Sequence, residues 1–138
     1  MKICIGSNIV DGPWGGGNLF LKNLKNYLIE NNIEVVFNLD DKDIDLILFT
    51  DPRSTFGSTS SIKKSQIKNY LKKNKNTVVV QRINECDERK GTDFINKFYL
   101  DASDCADHVI FVSEWLRSIY TEIGMPTKKT SVIMSGAD

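Results

Sequence analysis

The chain has 138 residues, with 18 Lys+Arg against 18 Asp+Glu, a single His, and 41% hydrophobic residues. That length suits one domain able to bury a core without metals or disulfides, and the balanced charge excludes an overall field for nucleic acid, so any anion recognition must be local. No apolar run approaches the roughly 18 residues needed to cross a bilayer.

The opening Met1-Lys2-Ile3-Cys4-Ile5 enters a strand at once, without the apolar region of a signal peptide. Cys4, Cys86 and Cys105 show neither metal-ligand spacing nor a paired framework. The expectation is a cytoplasmic protein with reduced thiols and no metal, with weak contact at a membrane surface left open. Short apolar runs at 3–5, 35–37, 46–49, 78–80, 109–112 and 132–134 alternate with amphipathic stretches. Continuous rather than alternating apolar runs predict strands covered on both faces. The fold class expected is therefore α/β, a Rossmann-like doubly wound parallel sheet of about six strands, with residues 1–138 forming a single domain.

Directly after the first run comes Gly12-Pro13-Trp14-Gly15-Gly16-Gly17-Asn18, and a helical pattern begins near Asn18. Strand, glycine loop and helix form a phosphate-site layout. Three consecutive glycines remove every Cβ, so main-chain N–H groups can approach an anion, and the helix adds its unpaired donors and positive dipole end. The competing reading is a tight turn with close helix-to-sheet packing. The helix is expected to bury Phe20, Leu24, Tyr27 and Leu28 and to stop near Asn31-Asn32. The link from strand two to strand three, Asp40-Asp41-Lys42-Asp43, is too short for an ordinary helix.

A Ser/Thr-rich loop over 54–61 precedes a helix that buries Ile67, Tyr70 and Leu71 and carries Lys64, Lys68, Lys72 and Lys75 as one stripe. That stripe is read chiefly as a solvated face, and secondarily as a surface for anionic lipid. The densest polar stretch, 82–92, follows strand four, on the side of an open parallel sheet where ligands bind. Arg82, Arg89 and Lys90 are candidates to grip phosphate or carboxylate, and Asn84 and Asp87 to meet polar groups such as sugar hydroxyls. Thr92 is expected to cap a helix with Phe94, Ile95, Phe98, Tyr99, Ala102 and Cys105 on its apolar face. His108 reads as structural. Ser113 reads first as an N-cap and second as a ligand contact. Gly124-Met125-Pro126 then ends the helix that Ser113 starts.

Gly15 and Gly17 begin a dinucleotide fingerprint, but Phe20 stands where its third Gly or Ala belongs; with Asp40 as a candidate ribose-binding acid, a small NAD-dependent oxidoreductase is weakened as an alternative without being excluded. No Gly-Lys-Ser/Thr follows the glycines, so a P-loop is excluded. A stand-alone nucleotide- or phosphate-binding module is the other alternative.

The glycine loop 12–18, the loop 82–92, the stretch 109–116 and the closing 132–138, in this order and spacing, resemble the N-terminal half of a group 1 (family four) glycosyltransferase. The resemblance covers essentially the whole chain. It implies one half of a GT-B architecture, with a C-terminal donor-binding domain, absent from these 138 residues, supplied in cis or in trans. It implies transfer of a sugar from a nucleotide-sugar donor to a glycan or lipid-linked hydroxyl acceptor, usually with retention, and no cofactor beyond the donor as substrate. Gly15, Gly16, Gly17 and Asn18 would lie against the donor, while Arg82, Asn84, Asp87, Arg89, Lys90 and Ser113 would border the acceptor. Many members place a histidine after the fourth strand, where this chain has Arg82 and Asn84. The paired glutamates of the family's second domain have no counterpart here, and the catalytic residues are left unassigned.

Overall fold

The computed structural model describes residues 1–53 and 57–136. Part of the Ser/Thr-rich loop, 54–56, and the closing 137–138 lie outside the described residues. Six strands form one sheet: β1 (Lys2–Ile5), β2 (Glu34–Val36), β3 (Leu46–Phe49), β4 (Val78–Ile83), β5 (His108–Phe111) and β6 (Thr130–Val132). All pairings are parallel, in the order β2-β1-β3-β4-β5-β6. The expected doubly wound α/β fold is thus observed. The chain winds outward from β1 to β2, then crosses back over β1 to β3, so the switch point lies between the ends of β1 and β3.

The helices are α1 (Gly16–Glu30), α2 (Lys64–Lys73), α3 (Asp87–Lys90), α4 (Ile95–Ala102) and α5 (Glu114–Glu122). Because winding reverses at the switch point, α1 covers one face and α2, α4 and α5 cover the other. Leu21 and Leu28 of α1 pack with Ile3, Ile5 and Leu48. On the opposite face Cys4, Ile47, Phe49, Val79, Val109 and Phe111 meet Ile67, Tyr99, Leu116 and Tyr120. Alternate residues of each strand therefore enter different cores, which is why the strands read as unbroken apolar runs. Fully burying one such side chain contributes about 1.5–3 kcal/mol.

Several expected details differ. Tyr27 is 62% exposed, because Leu21 rather than Tyr27 completes the buried stripe of α1 with Leu28. Phe94 and Phe98 pair edge to face at 6.3 Å but stay near the surface, leaving Ile95, Tyr99 and Ala102 as the inward face of α4. Strand four runs three residues past its apolar core, to Ile83, because Gln81 and Arg82 find buried places for their polar ends. The link between β2 and β3 carries no helix, as expected; Lys2 gathers its acids, with Nζ 2.8 Å from Asp41 Oδ2 and 2.7 Å from Asp43 Oδ1. His108 Nε2 lies 2.8 Å from Ser131 Oγ, a structural link between β5 and β6. Half of the lysine stripe is neutralised: Lys64 pairs with Asp101 and Asp104, and Lys68 with Asp104. No helix among the described residues is long and apolar enough to cross a membrane, and no group among them gathers three metal-ligating side chains. Burial raises the thiol of Cys4 to about 12, and the thiols of Cys86 and Cys105 are pushed up for the same reason.

Candidate functional site

The C-terminal ends of β1, β3 and β4 open into a cleft of about 1160 Å³. The glycine loop forms one rim. Asn18, at the third position of α1, turns back to hold it: its Oδ1 accepts from the Val10 amide at 2.9 Å and its Nδ2 donates to the Val10 carbonyl at 2.7 Å. This two-bond clamp closes residues 10–18 into a fixed loop. Gly15 enters the helix at φ +83°, a conformation in which a Cβ would be strained. No side chain caps the N-terminus of α1. Among the described residues nothing accepts from the amides of Gly15, Gly16, Gly17 or Asn18.

The alternative reading, glycines for close packing, is tested by what a Cβ would meet. At Gly15 and Gly16 it would meet nothing within 4 Å; at Gly17 it would lie 3.4 Å from Asn84 Nδ2. Backbone conformation therefore accounts for Gly15, while a Cβ at Gly17 would make an ordinary contact with the end of the Asn84 side chain. Gly16 has neither a positive φ nor a close neighbour, so the chain's own structure gives no reason for its missing side chain.

Across from this rim stands Arg82. It leaves the end of β4 on the α1 face, its guanidinium carbon 3.8 Å above the centre of the Phe20 ring, and its Nη2 donates to Ser135 Oγ at 3.1 Å. It is 7% exposed. No carboxylate among the described residues pairs with it, and burial lowers its pKa from the ordinary arginine value. A guanidinium remains charged all the same, so a cation with spare donors is held at the cleft wall. Four cations, Arg53, Arg82, Arg89 and Lys90, line the cleft against two carboxylates, Asp51 and Glu85. The neutral chain thus concentrates positive charge at one place.

Of the residues named from sequence, Gly15, Gly16, Gly17, Asn18, Arg82, Asn84, Arg89 and Lys90 line the cleft together. Asp87 and Ser113 are not among its lining residues. The Asp87 carboxylate accepts from Thr92 Oγ1 at 2.5 Å and from the amides of Ile95 at 2.8 Å and Asn96 at 3.0 Å. It caps the start of α4, a role expected of Thr92, because the one-turn α3 places Asp87 there first. Burial opposes its ionisation, but these hydrogen bonds outweigh burial and hold its carboxyl below the usual value. Ser113 Oγ accepts from the Leu116 amide at 3.1 Å as the N-cap of α5, and neighbouring Val112 lines the cleft instead. Asp40, the acid an NAD site would need, is exposed beyond β2 and is likewise not a lining residue.

Sequence reasoning did not bring forward the floor of the cleft. Asp51 and Arg53 follow β3, with Arg53 Nε 2.9 Å from Asp51 Oδ1 and Arg53 Nη2 3.2 Å from Glu85 Oε2. The pairing with Asp51 raises the Arg53 pKa against the opposing effect of burial. Ser7 Oγ and Thr50 Oγ1 meet at 2.8 Å at the switch point itself. Tyr99, from α4, also lines the cleft. The position of Asp51 and Arg53 directly after the third apolar run was the available signal.

No protein-family model matches this chain, and no curated protein matches it significantly. The geometry of the cleft therefore carries the functional argument.

Proposed function

We propose that this chain is the acceptor-side, N-terminal half of a GT-B glycosyltransferase that moves a sugar from a nucleotide-diphosphate donor to a hydroxyl of a glycan or lipid-linked acceptor. The observation that supports this most is the set of amides at Gly15–Asn18 without an acceptor, lining an open cleft with a buried Arg82 that no carboxylate pairs, both among the described residues. In such a transfer, negative charge grows on the leaving diphosphate. Preorganised main-chain donors at a helix N-terminus stabilise that charge without reorganising. Arg82, fixed by Phe20 and Ser135, would contribute a charge-assisted hydrogen bond from the other side. The 138 residues supply one wall of this cleft, and a C-terminal donor domain, in cis or in trans, would supply the other.

Calorimetric titration of the 138-residue chain with nucleoside diphosphates, nucleotide sugars and NAD, followed by a turnover assay, tests the reading. It predicts weak binding of the diphosphates, no preference for NAD, and no transfer until a donor domain is added. Robust transfer by these residues alone would overturn the half-enzyme assignment. Tight nucleotide binding that no donor domain converts into transfer would point to a binding module instead.

A further inference from the structure

One side chain of the cleft carries a donor and an acceptor that the described residues leave unused. Asn84 follows Ile83, the last residue of β4, which pairs with Phe111, and precedes Glu85, whose carbonyl accepts from the Tyr120 hydroxyl at 2.9 Å. Its backbone is therefore fixed from both sides. The side chain is half-buried and lines the cleft, and neither its Nδ2 nor its Oδ1 meets a hydrogen-bond partner among the described residues.

Gly17 sets where this carboxamide stands. A Cβ on Gly17 would lie 3.4 Å from Asn84 Nδ2. A Cβ is about 2.5 Å from its own amide nitrogen, so Nδ2 is at most about 6 Å from the Gly17 nitrogen. Two donors this close can both reach one phosphoryl group, because each N–H···O bond spans about 2.9 Å. Arg82, 7% exposed, lines the same cleft and has guanidinium N–H groups without an acceptor among the described residues. Main-chain amides, the buried cation and the carboxamide therefore belong to one site.

The carboxamide differs from the other two. Amide N–H groups and a guanidinium only donate, whereas Asn84 donates at Nδ2 and accepts at Oδ1, with a single carbon between them. A bare phosphate would answer Nδ2 and leave Oδ1 unmet. An ester with a hydroxyl on the carbon next to the ester carbon answers both, since that hydroxyl stands beside the phosphoryl oxygens and has a proton to give.

We propose that Asn84 determines the specificity of the anion site: its Nδ2 donates to the phosphoryl group held at the α1 amides, and its Oδ1 accepts from a hydroxyl on the carbon next to the ester carbon. The ligand class so defined is a hydroxylated phosphate ester, to which the glycosyl phosphate end of a nucleotide sugar belongs. The inference deepens the reading of the cleft as a sugar-transfer site and rests on it for the anion at the glycine loop.

Amide chemical shifts of the 138-residue chain, followed during titration with inorganic pyrophosphate, ethyl phosphate and 2-hydroxyethyl phosphate, test the two separately. All three should saturably shift the Gly15–Asn18 amides. The hydroxyl should make 2-hydroxyethyl phosphate bind at least about threefold more tightly than ethyl phosphate. Asn84→Ala should abolish that preference and leave the melting temperature unchanged, since the lost carboxamide has no partner to miss. Asn84→Asp, which keeps an acceptor but removes the donor and adds a negative charge, should weaken all three ligands at least about tenfold. If pyrophosphate binds at these amides but the hydroxyl confers no preference, or the preference survives in Asn84→Ala, or Asn84→Asp binds as the parent does, the role of Asn84 is overturned and the anion site stands. If none of the three ligands moves these amides, the anion reading falls and the role of Asn84 falls with it.

Discussion

Lys2, at the N-terminal end of β1, and Arg82, at the C-terminal end of β4, are both cations largely removed from water, with the Lys2 side chain 12% exposed and Arg82 7% exposed. Lys2 is answered within the chain by Asp41, Asp43 and Glu34, and its hydrogen bonds to Asp41 and Asp43 raise its pKa. Arg82 is answered by an aromatic ring and one hydroxyl among the described residues, and burial lowers its pKa. The same contrast runs through the backbone at the two ends. The amides of Glu34 and Asp45 bond to carbonyls of Met1 and Lys2, whereas those of Gly15, Gly16, Gly17 and Asn18 meet no acceptor among the described residues. One end of the sheet is finished as structure; at the other, the Gly15–Asn18 amides and most of the Arg82 donors meet no acceptor among the described residues.

The sharpest way to break this comparison is to remove each cation in turn. Arg82→Met should weaken nucleoside diphosphate binding at least tenfold, about 1.4 kcal/mol, while leaving the melting temperature unchanged or higher, because a buried cation without a carboxylate is costly to keep. Lys2→Met should do the reverse: a lower melting temperature, as three acids lose their common partner, and unchanged diphosphate binding. Calorimetry and thermal melts on the two variants read both effects. If Arg82→Met instead destabilised the fold and spared binding, the two cations would be equivalent structural elements.

Glycines sharpen the comparison next. A Cβ at Gly6, under the sheet end, would lie 2.9 Å from two Ile62 side-chain atoms and 3.1 Å from the Leu48 carbonyl oxygen. Gly6→Ala should therefore cost about 1–3 kcal/mol in denaturant unfolding. Gly16→Ala should cost nothing, and a gain of a few tenths of a kcal/mol is expected for a helix residue with less unfolded-state freedom, yet it should weaken diphosphate binding by placing a methyl where the anion approaches.

Asp87 gives a smaller effect. Asp87→Ala removes the cap of α4 and should cost about 1 kcal/mol, with no loss of diphosphate binding beyond what instability explains. The smallest effect concerns acid. Asp87 and Asp43 are both held below the ordinary carboxylate value of 3.8, Asp43 chiefly by its hydrogen bond from Lys2. A depressed folded pKa contributes stability that is present above that value and lost as pH falls through the lower folded one. Melts between pH 5 and pH 2 should show a shallower acid decline for Lys2→Met than for the parent chain, because the Asp43 share is already gone.

The sheet was legible because its strands are buried on both faces, so runs such as 46–49 and 109–112 stand out as uninterrupted apolar segments. What hid was polar and buried. Gln81 and Arg82 lengthen β4 through a bond to the Tyr99 carbonyl and a stack on Phe20, neither visible until β4 lies between α1 and α4. The rim of the site was readable from local chemistry, since glycines and arginines announce themselves along the chain. The floor was not. Asp51, Glu85 and Tyr99 lie 34 and 14 residues apart in sequence order and meet only because β3 and β4 are neighbours, and Tyr99 reads as an ordinary core aromatic at its place in the α4 stripe. The capping role of Asp87 was not legible because a single turn of helix, α3, shifts the cap of the next helix from Thr92 five residues back.

The most direct measurement follows the backbone amides of Gly15, Gly16, Gly17 and Asn18 by NMR while inorganic pyrophosphate is added to the parent chain and to Arg82→Met. Saturable downfield shifts at these four amides in the parent chain, lost in the variant, are the predicted result. Amides that stay unmoved while pyrophosphate binds elsewhere, or shifts that persist undiminished without Arg82, would contradict the account.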